Sequence, residues 1–130
     1  MKVYLASRYG RREELVKFRD LLVKLGVECT STWLDGEEDK TPEARERYAR
    51  TDLADIDRSH MLIAFTESSA TLRGGRHVEF GYALAKEKVC WIVGPRENLF
   101  MESKSIRQFD THIECLAALH SNMVANQRLL

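Results

Sequence analysis

Residues 61–93 read MLIAFTESSATLRGGRHVEFGYALAKEKVCWIV. Met61–Phe65 is apolar at every position, and Val89–Val93 is apolar throughout. Runs of this kind mark strands covered on both faces, as in the interior of a parallel sheet. Between them Thr66–Arg73 reads as a polar loop, Gly74-Gly75 as a turn and Arg76–Lys86 as a helix. A strand, a helix and a strand in succession predict parallel strands joined by a right-handed crossover.

The same alternation continues on both sides. Lys2–Ala6 is strand-like and runs into Ser7-Arg8-Tyr9-Gly10. From about Arg11 to Leu25 the apolar residues Leu15, Phe18, Leu22 and Leu25 recur at intervals of three and four, forming one helical stripe. Gly26 ends that helix, because glycine accepts the left-handed backbone of a helix stop. Val27–Trp33 is predicted as a second strand. Thr41-Pro42 opens a helix, threonine as cap and proline at the first helical position. It runs to about Asp57, with Tyr48, Ala49, Leu53 and Ile56 expected on its buried side. Gly94-Pro95 breaks the fourth strand, Glu97–Phe109 is ambiguous, and Ile113–Val124 reads as a closing helix. The expectation is one α/β domain over residues 1–130, a doubly wound, mostly parallel sheet of four to five strands with helices on both faces.

Composition narrows the function. Lys+Arg and Asp+Glu are 20 each, a formal charge of zero, which argues against a dedicated binder of polymeric nucleic acid. With 44% hydrophobic and 31% charged residues the chain suits a soluble globule. No apolar run approaches the roughly 18 residues of a membrane span, and the N-terminus lacks the apolar stretch of a signal peptide. Cys29, Cys90 and Cys115 are widely spaced, form no CxxC or Cys/His cluster, and read as reduced thiols. Neither a metal nor a cofactor is expected, and the expected location is cytoplasmic.

Sheets of this kind bind ligands at the carboxyl ends of their strands, where the strand order reverses. That directs attention to Ser7–Arg12, Thr66–His77 and Gly94–Phe100. Gly74 and Gly75 before a helix allow a ligand close to the backbone, and the free N–H groups of the first turn favour an anion. Arg73 and Arg76 flank them. The GxxxxGK[ST] spacing of a triphosphate loop is absent. Glu79 is expected in the first turn, where the helix dipole favours an ionised carboxylate suited to nucleophilic attack or simply to balancing the dipole. Asp52 shares the inward stripe of its helix and so needs a partner or a role, whereas Asp55 and Asp57 are expected on a solvated face. Tyr4 lies near the carboxyl end of the first strand, where it packs or serves the site. Ser7, Arg8, Arg11 and Arg12 are either a phosphate cradle or a solvated helix start. His77 is either structural or a phosphate or proton contact, and Trp33 either packs or stacks on a base.

Val3-Tyr4-Leu5-Ala6, Asp52-Leu53 with the strand that follows, and Val78-Glu79-Phe80-Gly81-Tyr82-Ala83-Leu84 occur in an order and at distances that resemble the nucleoside 2-deoxyribosyltransferase family, including its relatives that hydrolyse nucleoside 5′-monophosphates. The resemblance covers about the first hundred residues. It implies a flavodoxin-like sheet, a retaining mechanism and a homo-oligomer, dimer or higher, with neighbouring-subunit residues drawn from around Asn98–Ser103. By the same resemblance Glu79 corresponds to the nucleophile, Tyr4 to the hydroxyl that orients it, and Asp52 to the aspartate that contacts the sugar or protonates the departing base. The sequence departs from the transferases in placing Arg73 where they carry an acid for base recognition. Ser7, Ser68, Ser69, Arg8, Arg11, Arg73, Arg76 and His77 suggest a nucleotide rather than an uncharged nucleoside. Transfer to water and transfer to a second base both remain open. A non-catalytic nucleotide sensor is the alternative, since one fold hosts many functions. A flavoprotein is disfavoured, because the first loop lacks Ser/Thr/Gly richness.

Overall fold

The computed structural model describes residues 1–36, 39–68 and 74–128. Strands β1 (Lys2–Ala6), β2 (Glu28–Cys29), β3 (Met61–Phe65), β4 (Val89–Val93) and β5 (Arg107–Phe109) form one all-parallel sheet in the order β2-β1-β3-β4-β5. Helices α1 (Arg12–Lys24), α2 (Pro42–Asp57), α3 (Gly75–Ala85) and α4 (His112–Arg128) accompany it. Alternate side chains of a strand point to opposite faces, and the core divides accordingly. Val3, Leu5, Ile63, Phe65 and Trp91 pack with Leu15, Phe18 and Leu22 of α1 and Cys115 and Leu119 of α4. Tyr4, Ala6, Leu62, Ala64 and Ile92 pack with Ile56 of α2 and Phe80 and Ala83 of α3. The chain leaves β1 toward β2 on one side and returns to β3 on the other, so the order reverses between β1 and β3.

The central elements match the sequence reading. Every residue of β3 is buried, Thr41 caps α2 by accepting from the Ala44 N–H at 3.2 Å, and Gly26 has φ +83°. The second strand is much shorter than Val27–Trp33. It lies at the sheet edge, and after the Thr30 N–H donates to the Val3 carbonyl a side chain replaces the ladder. The Ser31 hydroxyl accepts from the Leu5 N–H at 2.6 Å and donates to the Leu5 carbonyl at 3.2 Å. The backbone then turns through a 3₁₀ segment, Thr32–Asp35. The ambiguous stretch resolves into a 3₁₀ turn, Leu99–Met101, and the edge strand β5. The α2 stripe is not uniformly buried: Ile56 is in the core, but Tyr48 is 37% exposed and Ala49 is exposed. Both line a pocket instead. At the end of β4, Gly94 has φ +120°, and a Cβ there would fall 2.5 Å from the Thr66 carbonyl oxygen. The ends of β3 and β4 therefore approach each other as only glycine permits.

Candidate active site

Tyr4 sits at the middle of β1 with no solvent exposure. Its hydroxyl donates a short hydrogen bond to Oε2 of Glu79 on α3, 75 residues away in sequence. Glu79 is the fifth residue of that helix, which begins at Gly75 behind a left-handed Gly74 of φ 72°. It therefore lies beyond the first turn, and the expected dipole stabilisation of its ionised form does not apply, because that effect fades within one turn. Burial pushes the Glu79 carboxyl up to about 8; the Tyr4 hydrogen bond opposes the rise and the Asp52 charge adds to it. Burial thus works against the ionised carboxylate expected from sequence, and the Tyr4 hydrogen bond works for it. Asp52, half-buried on α2, is pushed up to about 6, first by burial and then by the charge of Asp55. The Tyr4 hydroxyl is driven far upward by burial and by Glu79 and Asp52, and stays a proton donor.

The two carboxyls meet in a pocket of about 790 Å³, with Tyr4 behind Glu79. Asp52, Glu79, Ser7 and Gly75 line it, together with the rings of Tyr9, Trp33 and Tyr48. Trp33 is both packed and at the pocket: its Nε1 donates to the Leu5 carbonyl at 3.0 Å, and its ring lies 6.3 Å from that of Tyr9. Lys40 and Arg45 also line the pocket, and among the described residues neither has a side-chain ion pair.

The remaining candidates stand elsewhere or have protein partners. Arg8 pairs with Glu67 at 2.7 Å. Arg11 grips both oxygens of Glu14, at 3.0 and 2.7 Å, and donates to the Thr66 carbonyl at 3.1 Å. Arg76 pairs with Glu97, and the His77 ring meets the Asn98 amide at 3.2 Å. Ser68 is exposed and does not line the pocket, and Ser69 and Arg73 lie outside the described residues.

Asp55 departs from the solvated face expected for it. It is 3% exposed, accepts from the Thr32 N–H at 3.0 Å and its hydroxyl at 2.7 Å, and pairs with Arg58 at 2.6 Å. It ties α2, which carries Asp52, to the turn that carries Trp33. Its signal in sequence was an aspartate inside a helix beside the buried Ile56. Asp57 is exposed, as expected, and accepts from the Tyr82 hydroxyl. Among the described residues no group of His, Cys, Asp and Glu is placed to hold a metal, and no helix is long and apolar enough to cross a membrane.

The family model described as nucleoside 2-deoxyribosyltransferase matches residues 3–123. No curated protein sequence matches the chain. Among solved structures, a 2-deoxyribosyltransferase from Bacillus psychrosaccharolyticus superimposes with a TM-score of 0.73 at 19% identity, covering 89% of this chain and 90% of its own. A CMP N-glycosidase from Clostridium botulinum gives 0.61 at 20%, covering 92% and 98%. A 2-desoxiribosyltransferase from Leishmania mexicana gives 0.59 at 15%, covering 92% and 97%. At these identities the superpositions establish a shared fold.

Proposed function

Because the chain belongs to the nucleoside 2-deoxyribosyltransferase family, we propose that it cleaves the N-glycosidic bond of a (deoxy)nucleoside or its 5′-monophosphate with retention, through a glycosyl ester on Glu79. The observation that carries this reading is the Tyr4 hydroxyl bound to Glu79 in a pocket that Asp52 also lines. Tyr4 engages Oε2 and leaves Oε1 to attack C1′. The new C–O bond forms as the C1′–N bond breaks, and its electron pair leaves with the base. Asp52, in its protonated form, supplies the proton that neutralises the departing nitrogen. Positive charge gathers on the sugar as the bond breaks, and the ionised carboxylate beside it stabilises that charge. Water or a second base then attacks C1′ while giving its proton to the now ionised Asp52, which releases the sugar from Glu79 and restores both the carboxylate and the acid.

Ser7 and Gly75 line the pocket and are assigned to the substrate. A charged substrate, the 5′-monophosphate, is supported by Lys40 and Arg45 at the pocket, since Arg8, Arg11 and Arg76 are engaged with Glu67, Glu14 and Glu97. A homo-oligomer is supported by Leu99 and Phe100, exposed at 74% and 64%, in the segment where the family draws on a neighbouring copy.

The test is chromatography of free base after incubation with a panel of deoxynucleosides and their monophosphates, with and without a second base. The wild-type protein is expected to release base and Glu79→Ala to release none. Undiminished release by the variant rejects the nucleophile, and tight binding of a nucleotide with no release by the wild type favours a sensor.

A further inference from the structure

Arg76 and Glu97 form an ion pair that the chemistry above does not use. Arg76 Nε donates to Glu97 Oε1 at 3.0 Å and Nη2 donates to Oε2, a two-point contact. Their side chains are only 3% and 11% exposed. Burying two charges carries a desolvation cost that their attraction rarely exceeds, so net stability is a weak reason for such a pair. Its place is also unfavourable for a cation, because Arg76 sits in the first turn of α3, where the helix dipole disfavours positive charge.

What the pair supplies is attachment. Gly74, the cap residue of α3, offers no side-chain cap, and the first turn contains no acid. The ties from that turn run to the segment after β4. Besides Arg76–Glu97, the Asn98 amide nitrogen donates to His77 Nδ1, while Asn98 Oδ1 accepts from the Phe100 N–H at 3.0 Å. The segment is itself anchored. Thr66 Oγ1 at the end of β3 donates to the Pro95 carbonyl at 2.5 Å, and Arg96 donates to the carbonyls of Met101 and Ile106. Glu79 follows Arg76 by three residues, one turn along the same helix. Its partner Tyr4 is fixed in the central sheet. A shift of the α3 start therefore moves the carboxylate against a stationary hydroxyl.

We infer that Arg76 and Glu97 are a positioning pair, which locks the first turn of α3 to the 95–101 segment and so sets the placement of Glu79 against Tyr4 and the sugar. The inference rests on the glycosidase reading for its kinetic consequence, but not for its structural one. Misplacement of a reacting group by about 1 Å costs on the order of 100-fold in rate, so Glu97→Gln is expected to lower kcat by roughly 10–100-fold while KM stays within about twofold. The double variant Arg76→Met/Glu97→Leu replaces the pair by apolar side chains and is expected to recover the Tm lost in Glu97→Gln without recovering kcat. Recovery of kcat together with Tm, an unchanged kcat in Glu97→Gln, or a change in KM alone would each overturn the inference. If the double variant does not fold, Glu97→Asp, which keeps the charge and shortens the reach, is expected to lower kcat at near wild-type Tm, and an unchanged kcat there would overturn it too. A second readout needs no turnover: carbon-13 NMR of the Glu79 carboxyl. Its titration is expected to move by about half a pH unit or more in Glu97→Gln, because the Tyr4 contact is disturbed, and a titration that stays in place rejects the positioning role. An inactive wild type with a moved titration rejects the glycosidase reading and leaves the pair supported.

Discussion

Tyr4→Phe removes one hydroxyl and nothing else. The ring stays packed in a fully buried position of β1. What disappears is the hydrogen bond to Glu79 Oε2, the one influence that lowers the Glu79 pKa against burial and the charge of Asp52. A hydrogen bond to an ionised group is worth about 1.5–3 kcal/mol. At about 1.4 kcal/mol per pKa unit, its loss raises the Glu79 pKa from about 8 by roughly one to two units. At pH 7 the ionised share of Glu79 falls by roughly 10–100-fold. In the proposed reaction only that form attacks C1′, so kcat/KM for base release falls by a similar factor and the alkaline limb of the pH profile moves upward. Thermal unfolding should change little, because the variant keeps the apolar ring and leaves a carboxyl that holds its proton. The assay is initial-rate base release from pH 5 to 10 with a substrate found active in the panel. A kcat/KM within about twofold of wild type at pH 7, or a limb that moves toward acid, would refute the reasoning.

Two further outcomes follow from the same groups. Wild-type kcat/KM should be bell-shaped with limbs near 6 and 8: below the lower limb both carboxyls are protonated and the nucleophile is lost, above the upper limb both are ionised and the acid is lost. A profile flat between pH 5 and 9 would contradict this. Glu79→Gln should be inactive yet hold its stability better than wild type as pH rises. The folded-state pKa of Glu79 is raised from 4.5 to about 8, so the stability contributed by protonated Glu79 is fully present below 4.5 and is lost progressively up to 8, by on the order of a few kcal/mol. The Tm difference between variant and wild type should widen across that window, and a difference independent of pH would show that Glu79 is not the group responsible.

The parts of the molecule legible in the sequence are those whose physics is local. The continuous apolar runs at 61–65 and 89–93, the Thr41-Pro42 helix start and the Gly26 stop each depend on a few adjacent residues. β2 is shorter than its sequence pattern because its end is decided by Ser31, whose hydroxyl displaces the backbone ladder, a competition that β-propensity does not register. Nothing local in the sequence shows what buries Asp55, because its partner Thr32 lies 23 residues upstream. Arg8, Arg11 and Arg76 looked available to a ligand because the sequence shows charge and not pairing; two of their carboxylate partners, Glu67 and Glu97, are distant in sequence. Lys40 and Arg45 show the converse: in sequence they are ordinary members of charged segments, yet they line the pocket. The Tyr4–Glu79 contact spans 75 residues and was reachable only through family resemblance.

The raised pKa of Glu79 looks at first like a flaw in a nucleophile, since burial pushes its carboxyl up to about 8 and so favours the protonated form. Two carboxyls that share one pocket do not titrate independently, however, and the proton belongs to the pair. Between about 6 and 8 the pair Glu79/Asp52 holds a single proton. The proposed reaction needs one carboxylate to attack and one proton to leave with the base, which is one proton on two groups. Burial alone would make Glu79 the better resting site for it. Tyr4 pulls the other way, because its buried hydroxyl donates to Glu79 and favours the ionised form there, leaving Asp52 as the alternative holder. The developing positive charge at C1′ further favours an ionised Glu79 at the moment the base requires the proton. The same packing that raises both pKa values thus keeps the pair singly protonated near neutrality, and the hydroxyl on β1 biases where that proton sits when substrate arrives.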